Sequence, residues 1–267
     1  MSEARFYLPV RVLSGKGIVR AHAADLAAFG KKALIVTGRR SAAACGVYDD
    51  ICAALDEQGV DHVLFDEVEE NPSTATVMRG RDRALEAGAD FVIGAGGGSP
   101  MDAAKAVALM AAHPDKDAEY LYAKDPDNVH LPLVLIPTTC GTGSEVTAVS
   151  ILSIERLGIK KSAPFRVFAD LSLIDGSYLR KAPRSMLCNT AFDALSHLYE
   201  SYVNTSATVI SRMIAENGLR TWSGSRPVLL GERPAEDIPR LLAGAPRAEA
   251  GFTAPPQGLC LMEVNYL

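Results

Sequence analysis

Short runs of consecutive apolar residues alternate along this chain with segments in which apolar positions recur every three or four residues. The runs predict buried strands, and the periodic segments predict helices. The predicted strands lie at residues 33–37, 63–65, 91–93, 131–136 and 171–174, and the predicted helices at about 47–58, 74–87 and 99–112. Strands that alternate with helices favour a parallel sheet covered by helices on both faces. The predicted fold class is therefore α/β.

The pattern changes after residue 154. Residues 158–169 predict an irregular segment or a hairpin, and from residue 183 the pattern is helical, at about 185–202 and 207–219. We place a domain boundary near residue 182, between an α/β domain (1–182) and a helical domain (183–267). The stretch 221–267 is rich in Arg, Pro, Ala and Gly and has weak hydrophobic periodicity.

Composition narrows the class of protein. The 267 residues suffice for one large or two modest domains, and the net charge of −5 argues against nucleic acid and anionic membranes as partners. No run approaches the ~20 apolar residues of a membrane span, and the first residues lack the pattern of a secretory signal. The cysteines are scattered, which is typical of reduced thiols. The expected location is cytoplasmic. The five cysteines are at positions 45, 52, 140, 188 and 260.

A first glycine-rich turn, residues 94–102, joins the strand at 91–93 to the following helix. Glycines let the backbone approach a ligand closely, and the N–H groups at a helix start favour a phosphate. The alternative is a tight turn with a helix cap, in which Ser99 is the N-cap and Pro100 the first helical residue. Three consecutive glycines exceed what a cap needs, so we favour phosphate binding.

A second turn, residues 137–145 (Pro-Thr-Thr-Cys-Gly-Thr-Gly-Ser-Glu), follows the strand at 131–136. Its hydroxyls and backbone amides could bind a ribose, a pyrophosphate or a nicotinamide carboxamide. The alternative is a loop whose hydroxyls satisfy their own backbone. Ligands of open α/β sheets bind beyond the carboxyl ends of the strands. Two such turns at adjacent strand ends therefore strengthen each other.

Arg39 and Arg40 follow the strand at 33–37, where no acidic residue stands nearby. An acidic residue there suits the unphosphorylated dinucleotide, whereas arginine suits a 2′-phosphate. This favours NADP(H) over NAD(H). The alternative is a solvated basic loop.

Asp193 and His197 are four residues apart in a predicted helix and project from the same face. A carboxylate and an imidazole are ligands for Fe²⁺ or Zn²⁺. By itself, such a pair is more often an exposed ion pair. Cys140 has no identifiable base and is better interpreted as a packed small residue, so no catalytic residue is assigned.

Four segments in this order resemble the iron-containing (group III) alcohol dehydrogenases, and the resemblance runs from about residue 7 to about residue 230. The four segments are Gly-Gly-Gly-Ser-Pro-Met-Asp (96–102), Pro-Thr-Thr-Cys-Gly-Thr-Gly-Ser-Glu-Val-Thr (137–147), Ala-Asp-Leu-Ser-Leu-Ile-Asp (169–175) and Asp-Ala-Leu-Ser-His (193–197). The resemblance implies a Rossmann-like N-terminal domain and a helical C-terminal domain. It also implies hydride transfer between a small alcohol or aldehyde and NAD(P)(H), with Fe²⁺ or Zn²⁺ as Lewis acid. A homodimer is the assembly to test.

The resemblance also implies roles for individual residues. The pyrophosphate would meet Gly97, Gly98 and Ser99. The ribose and nicotinamide would lie along Thr138, Thr139 and Thr142. Further cofactor-site residues would be Gly38 near the adenosine ribose, Lys161 near the nicotinamide ribose, Asn71 in the loop 70–72, Asp102 and Ser144. The first two metal ligands would be Asp193 and His197.

The family normally supplies two more histidines, and this sequence has none after His197. Gln257 stands where the third ligand would fall, and two ligands rarely make a catalytic metal site. We rank three interpretations: a truncated or frame-shifted remnant, a chain that binds cofactor without turnover, or a site completed by a partner subunit, Cys260 or Glu263. The predicted function is an NAD(P)-dependent, metal-assisted oxidoreductase, impaired in this chain. The alternatives are a non-catalytic nucleotide-binding protein and a relative that acts on glycerol or a sugar phosphate.

Overall fold

The structure, a computed structural model, describes residues 6–155 and 158–229. Its centre is a six-stranded sheet in which every pairing is parallel. The sheet strands are β1 (Arg11–Ser14), β2 (Lys32–Gly38), β3 (Asp61–Val68), β4 (Phe91–Gly96), β5 (Leu133–Pro137) and β8 (Leu171–Ile174). Their spatial order is β1-β8-β5-β4-β2-β3. The sequence prediction of an α/β fold with a parallel sheet is confirmed.

Helices cover both faces of this sheet. The helices of the α/β part are α1 (Ile18–Ala21), α2 (Ala23–Ala27), α3 (Ser41–Cys45), α4 (Val47–Glu57), α5 (Thr74–Ala87) and α6 (Gly98–Ala111). One buried cluster packs α5 and α6 against the sheet, and a second packs α1, α2 and α4 against the opposite face. Side chains of successive strand residues alternate between faces, so an apolar run such as β2 serves both clusters.

A two-stranded antiparallel hairpin follows the second glycine-rich turn. It consists of β6 (Ile151–Ile154) and β7 (Ile159–Ser162), with Leu152 opposite Lys161. The hairpin was one of the two alternatives predicted for residues 158–169, and it is confirmed for β7. Every residue of β7 is exposed, so its outer surface faces solvent.

The chain continues into two long helices, α7 (Arg184–Val203) and α8 (Val209–Leu229). The internal contacts divide the protein into two compact units, and the division falls between Ala194 and Leu195, within α7. The boundary near residue 182 stays a prediction. In the second unit, Gly218 leaves room for the side chain of Leu198. None of the helices in residues 6–155 and 158–229 has the length and apolar character needed to cross a membrane.

The structure corrects several details of the sequence prediction. The helix after the first glycine-rich turn begins at Gly98 with Gly97 as its N-cap, so Ser99 is not the cap and Pro100 is not the first helical residue. Helix α8 continues to Leu229 rather than ending near residue 219. The prediction missed β1 and the short helices α1, α2 and α3, because none of them has a long apolar run or a full amphipathic repeat.

Gly94 in β4 offers a test of how tightly this core is packed. A Cβ atom built there would lie 2.5 Å from Cβ of Ala104 in α6 and 2.7 Å from Cδ2 of Leu135 in β5. We expect Gly94→Ala to lower the free energy of unfolding by about 1–3 kcal/mol, the usual cost of overpacking a core. Urea unfolding followed by circular dichroism measures this. Gly176→Ala is the matched control, because a Cβ there meets nothing within 4 Å, and an equal loss in both variants would contradict the expectation.

Candidate cofactor-binding site

The two glycine-rich turns meet at the carboxyl edge of the sheet. Strands β4 and β5 are neighbours, and their last residues, Gly96 and Pro137, are partners in the register. The N–H of Thr138 donates to the carbonyl oxygen of Gly96 at 2.8 Å. Since both turns leave adjacent parallel strands at this point, they form one surface beyond the strand ends.

The first turn depends on glycine for its shape. Gly96 has a φ of +150°, and a Cβ there would lie 2.7 Å from Cγ of Pro100. A Cβ built on Gly98 would lie 2.9 Å from Cγ2 of Thr142, and one built on Gly97 would lie 3.4 Å from Thr139. Glycine therefore lets the start of α6 approach the second turn closely, with the N–H groups of the first helical turn available to an anion.

Three further predicted residues surround this helix start. The hydroxyl oxygen of Ser99 accepts a hydrogen bond from the N–H of Asn71 at 3.2 Å. Asn71 has a left-handed backbone with φ +57°, and its carbonyl accepts from Ser153 Oγ at 2.9 Å. Gly38 ends β2, and a Cβ there would lie 3.8 Å from Cγ of Pro100. The structure thus brings Gly38 and Asn71 to the same helix start as Ser99.

The threonines of the second turn differ in exposure. Thr138 is buried, Thr139 is partly buried and Thr142 is exposed. Lys161 is exposed on β7, and its carbonyl accepts from the hydroxyl of Tyr122 at 3.4 Å. Its role near the nicotinamide ribose stays a prediction. Arg39 and Arg40, which follow β2 in the chain, are also exposed. Both a 2′-phosphate site and a solvated loop predict this exposure.

Asp102 and Ser144 lie beneath the two turns, in the interior. Ser144 Oγ donates to Asp102 Oδ1 at 2.6 Å, and the N–H of Ile151 donates to Asp102 Oδ2 at 2.9 Å. Both carboxylate oxygens therefore have partners within the protein. The carbonyl oxygen of Asp102 accepts from Ser150 Oγ at 2.8 Å. Asp102 joins α6 to the second turn and to the start of β6.

Lys105 completes this buried cluster, and the sequence analysis missed it. The side chain has no exposed area, and its Nζ donates to Ser144 Oγ and to the carbonyl oxygen of Val149, each at 2.8 Å. Nζ also lies 3.6 Å from Asp102 Oδ1. Desolvation lowers the pKa of Lys105 to about 8 against the opposing influence of the Asp102 carboxylate, and burial raises the pKa of Glu145.

The predicted metal ligands share helix α7. The carboxylate of Asp193 lies beside the second turn, since a Cβ built on Gly141 would be 3.0 Å from Asp193 Oδ2. His197 follows one helical turn later, and both residues are exposed. Gln257 and the proposed substitutes Cys260 and Glu263 lie outside the described residues.

These residues do not amount to a metal site. Throughout residues 6–155 and 158–229, no group of three or more His, Cys, Asp or Glu side chains could hold a metal ion. A catalytic zinc site ordinarily has three protein ligands and one open position. The described residues therefore do not fit a catalytic metal, whereas the glycine turns and hydroxyls do fit a phosphate-bearing dinucleotide.

Comparison with known proteins agrees with this arrangement. Residues 9–176 match the sequence profile of the iron-containing alcohol dehydrogenases, and the chain belongs to that family. It is 35% identical over 207 residues to the NADPH-dependent butanol dehydrogenase of Clostridium saccharobutylicum. The matched residues make up 75% of this chain and 52% of that protein. It is 33% identical over 212 residues to alcohol dehydrogenase 4 of Schizosaccharomyces pombe, covering 79% of this chain and 50% of the relative. The chain thus spans about half the length of these relatives.

Solved structures show the same fold. An iron-containing alcohol dehydrogenase from Thermotoga maritima superimposes with a TM-score of 0.77 at 37% identity, covering 92% of this chain and 64% of that one. The NADH-dependent butanol dehydrogenase A of the same organism superimposes with a TM-score of 0.80 at 28% identity, covering 91% and 62%. The chain therefore spans less than two thirds of each of these two solved chains.

Proposed function

We propose that this chain is an NAD(P)-dependent oxidoreductase of the alcohol–aldehyde class that retains its cofactor site and is impaired in metal-assisted turnover. The observation that carries the proposal is the close approach of two glycine-rich turns at adjacent strand ends, with Gly98 against Thr142. Family membership supports the reaction class. The relatives include an NADPH-dependent butanol dehydrogenase and an NAD-dependent methanol dehydrogenase.

In the proposed complex, the start of α6 holds the pyrophosphate. The N–H groups of Gly97, Gly98 and Ser99 are directed to the phosphate oxygens, and the helix dipole adds to the attraction. Thr138, Thr139 and Thr142 orient the ribose and nicotinamide from the second turn. Gly38 and Asn71 flank the adenosine side. The cofactor, once bound, supplies the hydride donor or acceptor.

The proposed cofactor and substrate preferences rest on fewer observations than the cofactor site itself. Arg39 and Arg40 favour NADP(H), because a guanidinium pairs well with a 2′-phosphate. A small alcohol or aldehyde is the proposed substrate, and a panel that includes glycerol and sugar phosphates would identify a relative with another preference. A non-catalytic nucleotide-binding protein is the second candidate function, favoured by the two-residue metal motif.

Titration with NADPH tests the proposed cofactor site. We expect enhanced NADPH fluorescence on binding, and we expect Gly98→Val to weaken binding by about tenfold to a hundredfold. The branched side chain would occupy the space against Thr142 and displace charge-assisted hydrogen bonds worth roughly 1.5–3 kcal/mol. Gly176→Ala, remote from both turns in sequence and free of steric contacts, is the control.

The outcomes of this titration separate the hypotheses. Binding by the unmodified chain that Gly98→Val weakens and Gly176→Ala preserves supports the cofactor site. The absence of NADPH and NADH binding by a folded chain would overturn the proposed function. Tighter binding of NADPH than of NADH would support the role of Arg39 and Arg40.

A further inference from the structure

The helix that carries the first glycine-rich turn contains a charged side chain that packing does not require. Helix α6 is buried along almost its whole length, and the neighbours of Lys105 in sequence are alanines and valine. An apolar side chain of similar length would fill the same volume. Taking an ammonium group out of water is costly, and a buried ion pair seldom adds net stability. Lys105 is therefore better explained by a role in positioning the segments that it contacts than by a contribution to stability.

The contacts of Lys105 lead directly to the second turn. Its Nζ donates to Ser144 Oγ at 2.8 Å, and the N–H of Ser144 donates to Thr142 Oγ1 at 3.3 Å. The side chain of Thr142 in turn packs over Gly98, at the start of the helix that carries Lys105. A continuous series of contacts therefore connects Lys105 through Ser144 and Thr142 to the start of α6.

A second contact fixes the far end of the same segment. Lys105 Nζ donates to the carbonyl oxygen of Val149 at 2.8 Å. Asp102, one helical turn earlier, accepts from Ser144 Oγ and from the N–H of Ile151. Together, these two side chains hold residues 144–151 against α6 at both ends. These contacts hold the second turn from its inner side, in addition to the direct bond from the N–H of Thr138 to the carbonyl oxygen of Gly96.

We propose that Lys105 is a positioning residue that holds the second turn at the distance from the start of α6 that a bound dinucleotide requires. The inference rests on the proposed function, because the dinucleotide is the ligand that would use both turns at once. Lys105 itself touches no ligand in this scheme. It acts through Ser144 and Thr142, so its loss weakens cofactor binding without removing any cofactor contact.

Three variants test this role. Lys105→Met keeps most of the side-chain volume and removes the donor, and we expect the dissociation constant for NADPH to rise about tenfold or more. Lys105→Gln retains an N–H donor and should recover part of that affinity. Ser150→Ala is the matched control, because the Ser150 side chain is equally buried and its hydroxyl donates to the carbonyl oxygen of Asp102 in α6, not to Ser144 or Thr142. The dissociation constant of this variant should stay within about twofold of that of the unmodified chain.

Hydrogen exchange without cofactor gives an independent measurement. We expect the amides of residues 139–146 to exchange faster in Lys105→Met than in the unmodified chain, and Ser150→Ala to leave them unchanged. Wild-type affinity and exchange in Lys105→Met would overturn the proposal. Equal effects of Lys105→Met and Ser150→Ala would also overturn it, since any buried hydrogen bond would then matter alike.

The two proposals fail in different ways. If the unmodified chain binds no dinucleotide, the proposed function is wrong, and exchange at 139–146 still decides whether Lys105 fixes the turn. If Lys105→Met does not fold, Lys105→Gln decides the matter. Affinity and exchange in Lys105→Gln equal to those of Ser150→Ala would then contradict positioning, and values between those of Ser150→Ala and Gly98→Val would support it.

Discussion

Loaded anaerobically with Fe²⁺, the chain is expected to bind NADPH yet reduce short aldehydes at least about 10³-fold more slowly than the Clostridium saccharobutylicum relative under the same conditions. The described residues offer Asp193 and His197 as candidate ligands, and no group of three. A metal acting as Lewis acid lowers the barrier by several kcal/mol, and each 1.36 kcal/mol corresponds to tenfold in rate. NADPH oxidation followed by absorbance measures the difference.

Asp193→Ala is the control for this expectation. If the metal step is lost, the variant and the unmodified chain should show the same residual rate with and without Fe²⁺. Substantial Fe²⁺-dependent turnover that disappears in Asp193→Ala would contradict the expected impairment. It would mean that a ligand outside the described residues, such as Cys260, Glu263 or a partner subunit's side chain, completes the site.

Asp102→Ala is expected to lower the free energy of unfolding by about 3–5 kcal/mol at pH 7. The change takes the carboxylate away from buried Lys105, which must then either stay charged without a partner or lose its proton, and breaking one side of a buried pair is costly. It also removes the acceptor for Ser144 Oγ and for the N–H of Ile151. Urea unfolding measures the loss. Glu67→Ala, which breaks the half-exposed ion pair with Arg79, is the control and should cost about 1 kcal/mol or less.

The defect of Asp102→Ala should grow as the pH falls below about 8. Lys105 has a pKa lowered by burial to about 8 in the folded chain, against 10.5 for the ordinary side chain. The Asp102 carboxylate raises that pKa, so its removal lowers it further. The unfolded state then binds a proton that the folded variant does not, and stability decreases as the pH falls through this window. A pH-independent defect, or one that Lys105→Met does not reduce in the double variant, would contradict the charge explanation.

Most of the α/β domain could be predicted because its central strands have a clear sequence signal. Strands β2, β4 and β5 are continuous apolar runs, as expected of strands buried on both faces. Strand β1 escaped prediction because it lies at the edge of the sheet and is mostly exposed, so its sequence has no apolar run. The pairing that defines it comes from β8, far along the chain.

The glycine turn was located correctly, although its cap was not. A serine before a proline is a strong N-cap signal. Here the three glycines let the backbone enter the helix two residues earlier, with Gly97 as the cap. Ser99 then turns its hydroxyl to the backbone of Asn71. Local propensity predicted a helix start, and the contacts of the surrounding loops decided the residue.

Lys105 shows how a site residue can remain hidden in a sequence. A single lysine in a helix normally lies on a solvated face, and nothing in its immediate neighbours suggests otherwise. The available signal is that residues 100–111 contain only two charged side chains, Asp102 and Lys105, three positions apart. A helix without a polar face is buried, so the side chains of Asp102 and Lys105 are expected to lie close together in the protein interior. Their link to the second turn depends on tertiary contacts that periodicity does not report.

The pairing of β1 with β8 constrains how the protein is made. The N–H of Gly17, just after β1, donates to the carboxylate of Asp175, 158 residues further along the chain. Until the ribosome has released β8, β1 has no strand to pair with, and one edge of β5 stays open. Non-local parallel pairing is slow, and open strand edges promote aggregation. From the synthesis of β1 until β8 is released, the nascent chain therefore carries an unpaired strand and an open edge of β5.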